Sequence, residues 1–225
     1  MIRNHKMNDK LNLLHKKLFE CINAQEKNWN SFIYAQAKKF YQGFDEIRVD
    51  GCRSTEIRFN EYNIRQYLSK EKNVLDIGSN CGFFTLYTSR FLNTIEGVEI
   101  NPHLVRISNY TKEYLHIENS EFHNLSFESF ESEKKYDIVF SFANDETIDG
   151  NTKFNFCEYV MKISSLLKNG GMLIFESQAI DVIIPKKFEP KLKILNGNFT
   201  IIEDRMVKSE YPIKVPERRF LIFRK

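Results

Sequence analysis

Residues 73–87 read NVLDIGSNCGFFTLY. A short apolar strand therefore runs into a tight loop of small residues, and an apolar helical segment follows at once. In a strand–loop–helix unit of this kind, backbone N–H groups and the start of the helix approach a bound cofactor closely. The sequence thus predicts a cofactor-binding loop at residues 78–82.

The loop departs from the G-x-G-x-x-G pattern of dinucleotide-binding proteins. Its glycines are Gly78 and Gly82, while Asn80 replaces the second glycine of that pattern and Phe83 replaces the last. Asp76, at the carboxyl end of the strand, would repel a pyrophosphate across a poorly screened gap. Such a carboxylate favours a ligand with an ammonium or sulfonium charge, and S-adenosylmethionine meets that requirement.

The two ends of this cofactor have predicted partners. We expect its methionine ammonium to lie near Asp76 and its carboxylate to lie at the helix start, near Phe83 and Phe84. An acidic residue about twenty positions further on is expected to hold both ribose hydroxyls. Glu99, followed by Ile100, stands at that spacing at the end of the second strand.

Residues 76–82 resemble the first motif of the class I S-adenosylmethionine-dependent methyltransferases, and Glu99 resembles their ribose-binding acid. The resemblance covers the chain from about Glu71 onward. It implies an α/β fold with a Rossmann-like, doubly wound sheet of seven strands, and it implies S-adenosyl-L-methionine as cofactor. It does not identify a substrate, because this family methylates many kinds of molecule.

Apolar spacing predicts the other elements. Residues 8–40 predict one or two amphipathic helices, and a further helix is predicted near residues 62–68. Strands and helices then alternate. Strands are predicted at residues 73–77, 95–100, 121–125, 136–142, 172–175, 199–207 and 220–223, and helices at 103–116 and 152–168. We therefore expect a helical cap in residues 1–70 and a cofactor-binding domain in residues 71–225.

Composition limits the classes of function. The chain has 225 residues and a net charge of +3, which is too small to indicate a nucleic-acid-binding protein. It has no apolar run long enough to span a membrane and no signal-peptide pattern. Four scattered cysteines suit a reducing cytoplasm. The basic stretch 186–225 leaves open a phosphate-bearing substrate or RNA.

Two further contacts with the cofactor follow from the resemblance. Ser126 and Phe127 stand where the family usually places an acidic residue against adenine, and Ser126 offers a weaker polar contact. Phe142 and Ala143, after the fourth strand, are expected to line the methionine end of the cofactor, where an aromatic face attracts the sulfonium. Either Arg53 or Arg58, which flank residues 54–57, is expected to clamp the cofactor carboxylate or a substrate phosphate.

The same strand end supplies the candidate catalytic residues. An oxygen nucleophile needs a base, and Asp145 and Glu146 are the candidates, with Asn144 orienting the substrate. The alternative is that a carboxylate here caps the following turn. Asp145, Glu146 and Asp149 also form an acidic trio, but we expect no metal, because Glu176-Ser177-Gln178 replaces the Asp-Asn pair of cation-dependent relatives.

The sequence therefore predicts a methyltransferase that O-methylates a small polar acceptor, such as a sugar or a surface-glycan precursor. The Asn-Pro-Pro-Tyr motif of enzymes that methylate base amines is missing from residues 141–147. The alternatives are a tRNA or rRNA methyltransferase and a non-catalytic cofactor-binding subunit that activates a partner. A nucleotide-dependent oxidoreductase is disfavoured by Asp76, Asn80 and Phe83.

Overall fold

The computed structural model describes residues 2–35, 38–146 and 152–225, with side chains described from Asn8 onward. The helices are α1 (Ile2–Asn28), α2 (Thr55–Tyr62), α3 (Phe83–Ser89), α4 (Pro102–Tyr114), α5 (Phe156–Leu166), α6 (Ala179–Ile183) and α7 (Phe188–Asn198). The strands are β1 (Gln42–Gly43), β2 (Arg53–Ser54), β3 (Asn73–Ile77), β4 (Thr94–Glu99), β5 (Ser120–Asn124), β6 (Tyr136–Phe142), β7 (Leu167–Glu176), β8 (Thr200–Lys208) and β9 (Glu217–Arg224).

Seven strands form one sheet in the order β5-β4-β3-β6-β7-β9-β8. Strands β3 to β7 run parallel, while β9 is antiparallel to both β7 and β8. Leu75 of β3 packs into one hydrophobic cluster and Val74 into another, so the centre of the sheet is buried on both faces. This arrangement confirms the predicted doubly wound sheet of seven strands. The strand order changes direction between the neighbouring strands β3 and β6.

The N-terminal region is less helical than its apolar spacing predicts. Helix α1 ends at Asn28, and the described part of residues 29–41 runs without helix toward β1. Ala37, which we placed in the second half of this pattern, lies outside the described residues. Phe40 is instead buried against Phe83 of α3, so the apolar residues after Asn28 contact the core from an irregular segment.

Helix α2 begins before the predicted helix at residues 62–68. The Oγ of Ser54 accepts a hydrogen bond from the backbone N–H of Ile57 at 3.3 Å, which caps the helix start. Asn63 then adopts a left-handed conformation with φ of 46° and ends the helix. The predicted helix near residues 62–68 was therefore placed too late in the sequence, because the Ser54 cap starts the helix at Thr55.

The region after β6 also differs from its prediction. Helix α5 starts at Phe156, where Asn155 and Glu158 form a capping box, and the chain enters β7 at Leu167. Residues 169–171 therefore lie inside a strand and do not end a helix. We did not predict α6 or α7, because Pro190 and Gly197 interrupt the helical spacing of Phe188, Lys191 and Leu195.

None of the described helices has the length and apolar character needed to cross a membrane.

Candidate active site

The loop between β3 and α3 turns through three left-handed residues. Gly78, Asn80 and Gly82 have φ values of 65°, 55° and 69°. A Cβ on Gly78 would lie 2.9 Å from the side-chain Nδ2 of Asn144, and a Cβ on Gly82 would lie 2.5 Å from the Oγ of Ser108. Both glycines are therefore required by conformation and by space, as a loop in close contact with its surroundings demands.

Asp76 is buried at the carboxyl end of β3, with 3% of its surface exposed. Its Oδ2 accepts a hydrogen bond from the Thr85 hydroxyl at 2.6 Å. Burial raises the pKa of Asp76 to about 6, although the Thr85 hydrogen bond and the Arg58 charge both act to lower it. A carboxylate in such a site gains from a cationic partner, which the predicted ammonium group would supply.

Glu99 joins the loop to the end of β4. Its Oε2 accepts the backbone N–H of Asn80 at 3.0 Å, and its Oε1 accepts the backbone N–H of Asn101 at 2.8 Å. Asn101 in turn caps α4 by accepting the N–H of His103 at 3.0 Å. These contacts fix the carboxylate in place in the lining of the cleft.

The start of α3 already has a partner within the chain. The Oε1 of Gln42 accepts the backbone N–H of Phe83 at 2.9 Å, and the Nε2 of Gln42 donates to the carbonyl of Ser79 at 3.2 Å. The Phe83 ring is fully buried and packs against Phe44. Our prediction did not include Gln42, because it precedes the loop by 37 residues and no local pattern connects the two.

These elements border one cleft, which twelve residues line. Nine residues of its lining were predicted from the sequence: Arg58, Asp76, Gly78, Asn80, Phe84, Glu99, Phe142, Ala143 and Asn144. Three others complete it: Tyr34, Tyr41 and Gln42. The aromatic residues Tyr34 and Tyr41 come from the irregular segment after α1, where sequence spacing gave no functional signal.

Seven predicted site residues lie outside this lining: Gly82, Phe83, Ile100, Ser126, Phe127, Asp145 and Glu146. Phe127 is fully buried and packs edge-on against Tyr159. The Ser126 hydroxyl donates to the Ser129 hydroxyl at 3.0 Å. Asn124, two residues before Ser126, is another polar side chain at this strand end. It donates to the carbonyls of Glu99 and Ile100 at 3.1 and 2.8 Å. The proposed adenine contacts of Ser126 and Phe127 stay predictions.

Arg58 places a positive charge in the wall of the cleft. Its guanidinium lies 5.0 Å from the ring centroid of Phe84 and 5.6 Å from that of Phe142. Its Nε and Nη2 both donate to the Tyr62 hydroxyl at 3.2 Å. In the described structure, Arg58 and Asp76 form no ion pair within 4.0 Å of each other. The cleft therefore holds two opposite charges that are separated. This separation suits a zwitterionic amino-acid group.

Asn144 is held by three hydrogen bonds. Its Nδ2 donates to the carbonyl of Ile77, while its Oδ1 accepts from the hydroxyls of Ser141 at 3.0 Å and Tyr159 at 2.8 Å. The amide thereby ties the end of β6 to the end of β3, beside Gly78. These contacts describe a residue that fixes the cleft wall, and its predicted role in orienting the acceptor stays a prediction.

Asp145 lies in a buried ionic group. Its Oδ2 accepts from the Nζ of Lys191 at 2.7 Å, and the same ammonium lies 3.1 Å from Asp181 and 3.4 Å from Glu146. Burial raises the pKa of Asp145 to about 6, although Lys191 acts to lower it. Glu146 is 56% exposed. Asp149, the third member of the acidic trio, lies outside the described residues, and Lys191 supplies the positive charge that a metal ion would bring.

A second buried ion pair lies next to the cleft residues Arg58 and Ala143. Arg53 of β2 binds Glu176, at the end of β7, through two hydrogen bonds of 2.9 and 2.6 Å. Both side chains are at most 1% exposed. Burial alone would raise the pKa of Glu176, but Arg53, Arg58 and Arg218 lower it to about 2. Sequence reasoning singled out Arg53 as one of two candidate clamps, and its partner was not predicted.

The cleft fits S-adenosyl-L-methionine in its donor set. Asp76 and Arg58 offer opposite charges to the amino-acid end, and Glu99 offers carboxylate oxygens to the ribose. The Oδ1 of Asn80 is buried without a hydrogen-bond partner in the described structure and lies on a residue of the cleft lining. An unsatisfied buried acceptor of this kind gains from a ligand donor.

Known methyltransferases resemble this chain in sequence. Residues 68–211 match the family model described as a methyltransferase domain. An rRNA adenine N-6-methyltransferase from Limosilactobacillus reuteri is 24% identical over 165 residues, which cover 72% of this chain and 59% of that protein. The chain thus spans less than two thirds of the length of this curated relative.

Two solved structures share the fold. The N-methyltransferase NodS from Bradyrhizobium japonicum WM9, in complex with S-adenosyl-l-homocysteine, is 16% identical, with a TM-score of 0.59 over 75% of this chain and 85% of that chain. TrmN from Thermus thermophilus is 11% identical, with a TM-score of 0.60 over 78% and 50% of the two chains. The matched family model covers more than half of the sequence, and this chain belongs to the class I S-adenosyl-L-methionine-dependent methyltransferases.

Proposed function

We propose that the protein transfers a methyl group from S-adenosyl-L-methionine to a hydroxyl group of a small polar acceptor, such as a sugar or a surface-glycan precursor. The observation that carries this proposal is the roof of the cleft. Tyr34, Tyr41 and Arg58, which precede the sheet in sequence, line the cleft together with the cofactor-loop residues. A cleft covered in this way favours a small acceptor.

Each end of the cofactor has a proposed partner. Asp76 binds the ammonium and Arg58 the carboxylate of the methionine end, while Glu99 accepts from the ribose hydroxyls. The aromatic rings of Phe84 and Phe142 border the same space and attract a sulfonium charge. When bound, the cofactor supplies an electrophilic methyl group. The chain contributes alignment of the acceptor and exclusion of water, which are the main aids to such a displacement.

We propose Glu146 as the base that removes the acceptor proton. Of the proposed catalytic carboxylates, Asp145 is buried against Lys191, whereas Glu146 is 56% exposed next to the cleft wall formed by Ala143 and Asn144. Both carboxylates lie near the Lys191 ammonium, but only that of Glu146 is exposed and so accessible to an entering acceptor. Asp145 then serves to hold the strand end in place, and Asn144 orients both the loop and the acceptor.

Methylation of RNA is the competing proposal, and the name of the curated relative favours it. The basic C-terminal third is an argument against it. Arg205 donates to the carbonyls of Glu61 and Tyr62, and Arg219 pairs with Asp204. Lys225 donates to the carbonyls of Ser164 and Leu167. These side chains are engaged within the chain, which leaves fewer positive charges for phosphate contacts.

We place the reaction in the cytoplasm, because the thiols of Cys21, Cys81 and Cys157 are free and a reducing compartment keeps them so.

The alternative of a non-catalytic subunit that activates a partner also binds the cofactor. It differs from our proposal in that the purified protein alone would transfer no methyl group.

The proposal is tested by incubating the purified protein with S-adenosyl-L-methionine carrying a labelled methyl group. The acceptors are neutral sugars, sugar acids, nucleotide sugars, and total tRNA and rRNA. We expect label on a carbohydrate oxygen, with a loss of rate of about 100-fold or more in Glu146→Gln if this residue is the base. Label on RNA would replace the proposal with its competitor. Cofactor binding without transfer to any acceptor would favour the activator subunit.

A further inference from the structure

Three arginines surround one carboxylate at the edge of the cleft. Arg53 and Arg58 both donate to the Tyr62 hydroxyl, at 3.4 and 3.2 Å. Arg218 lies at the start of β9 and is the third positive charge near Glu176. Together the three guanidinium charges lower the pKa of Glu176 to about 2, although burial alone would raise it. We call Arg53, Arg58 and Arg218 the arginine cluster. All three are at most 5% exposed.

The charges in this cluster do not balance. Arg53 is paired with Glu176. Within the part of the chain that the structure describes, neither Arg58 nor Arg218 has a carboxylate within 4.0 Å. The Nη2 of Arg218 donates to the carbonyl of Tyr211 at 3.0 Å, but its Nε and Nη1 are buried without any hydrogen-bond partner. A buried cation with unsatisfied donors is costly, because nothing replaces the water it has lost.

The cluster connects to the cleft through two tyrosines. Tyr41 lines the cleft, and its ring meets the ring of Tyr211 edge-on with centroids 5.8 Å apart. Tyr211 is the residue whose carbonyl receives the hydrogen bond from Arg218. Both rings are only half-buried. An anion that displaced this ring pair would lie next to Tyr211, the residue that Arg218 contacts.

We propose that the arginine cluster binds an anionic group of the methyl acceptor through Arg218, so that the acceptor is a sugar that carries a carboxylate or a phosphate. This inference rests on the proposed function and names its substrate class. A guanidinium offers its Nε and one terminal nitrogen as a fork that matches two oxygens of either anion. The anion supplies the missing partner of Arg218 and offsets the positive charge that the cluster and a sulfonium would otherwise share.

The test measures anion binding without methyl transfer. Protein labelled with nitrogen-15 and saturated with S-adenosyl-L-homocysteine is titrated with inorganic phosphate, and separately with acetate, at constant ionic strength set by chloride. The arginine Nε–H signals are followed by NMR. We expect a saturable shift of the signal that Arg218→Gln removes from the spectrum, and binding at least about tenfold weaker in that variant. Arg219→Gln is the matched control, since its neighbouring guanidinium already pairs with Asp204.

Two results would overturn the proposal. One is a spectrum in which neither anion moves the Arg218 signal in a saturable way. The other is phosphate binding that occurs with 5′-methylthioadenosine, which lacks the amino-acid end, but not with S-adenosyl-L-homocysteine. That second result would assign the cluster to the cofactor carboxylate. Either result leaves the proposed methyl transfer standing, because cofactor binding is read separately in the same samples.

Thermal unfolding separates an anion site from a purely structural arginine. Without added anion, Arg218→Gln removes an uncompensated buried charge, so its unfolding temperature is expected to equal or exceed that of the wild type. Phosphate should then raise the unfolding temperature of the wild type and of Arg219→Gln, but not of Arg218→Gln. A lower unfolding temperature for Arg218→Gln, combined with no effect of phosphate on the wild type, would contradict the proposal.

Discussion

The two walls of the cleft differ in how their polar groups are satisfied. On the wall formed by β3 and β4, Asp76 and Glu99 bond to near neighbours in sequence or to backbone groups of the loop, and both still line the cleft. The second wall, at the end of β6, is lined by Phe142, Ala143 and Asn144. Outside that lining, Asp145 and Glu176 bind Lys191 and Arg53, which lie 46 and 123 residues away. The first wall is built to receive a ligand, and the second is built on long-range ion pairs.

The largest expected effect breaks the second wall. Arg53→Met leaves the Glu176 carboxylate buried and unpaired, so the free energy of unfolding should fall by about 3–5 kcal/mol. Denaturant titration measures this change. The matched control is Arg219→Gln, which breaks the half-exposed pair with Asp204 and should cost less than about 1 kcal/mol. Equal losses in the two variants would show that burial does not distinguish these pairs.

The next effect concerns the first wall. The double variant Asp76→Ala/Glu99→Ala should bind S-adenosyl-L-methionine about 100-fold more weakly or worse, because two charged partners of the ligand are lost. Isothermal titration calorimetry gives the dissociation constants. Asp137→Ala removes a carboxylate from the opposite end of β6, where it pairs with Lys168, and should leave binding unchanged. Unchanged binding in the double variant would refute the assignment of the first wall.

A pH titration sharpens the contrast. The folded-state pKa of Asp76 is raised to about 6 from the ordinary aspartate value of 3.8, so the folded protein holds a proton there that the unfolded chain releases. Stability from this group therefore falls as pH rises between these values. Cofactor affinity moves the opposite way, since the ionised form binds the ammonium. We expect affinity to rise about tenfold from pH 5 to pH 7, and to change little in Asp76→Asn.

The smallest effect tests the hydrogen bond from Thr85. Thr85→Val removes the donor that lowers the pKa of Asp76. The midpoint of the affinity increase should then move to higher pH, with a loss of affinity of a few-fold at pH 7. Thr88→Val, in the same helix, removes a hydroxyl that bonds only to backbone carbonyls in the described structure, and should leave the midpoint in place. Identical midpoints in both variants would contradict the role of Thr85.

The sequence predicted the first wall because its signals are local. Asp76, the small residues of the loop and Glu99 occur at fixed spacings on consecutive strand ends, and the parallel sheet brings such ends together. The same logic predicted the sheet of seven strands, which the structure and the family match confirm. Helix α1 and the antiparallel strands β8 and β9 also lie near their predicted positions.

The second wall and the roof could not be predicted in this way. Tyr34 and Tyr41 reach the cleft from a segment without regular structure, and Gln42 reaches it from the two-residue strand β1. Periodicity says nothing about elements of either kind. Glu176 meets Arg53 across more than half the length of the chain. Asp145 sits beside Asn144 in sequence, yet its carboxylate is held by Lys191 of a helix that we did not predict.

Gln42 has a consequence for how this enzyme can diversify. Its amide bonds to both the loop and the start of α3, and Gln25 of α1 accepts a hydrogen bond from Asn101 at 2.8 Å, next to the ribose-binding position. The first 70 residues, which we predicted to be a separate cap, therefore also brace the donor site. Exchange of this segment as an interchangeable module would damage cofactor binding along with acceptor choice. New acceptor preferences are more accessible through single substitutions in the roof, at positions such as Tyr34 and Tyr41, than through recombination at the boundary.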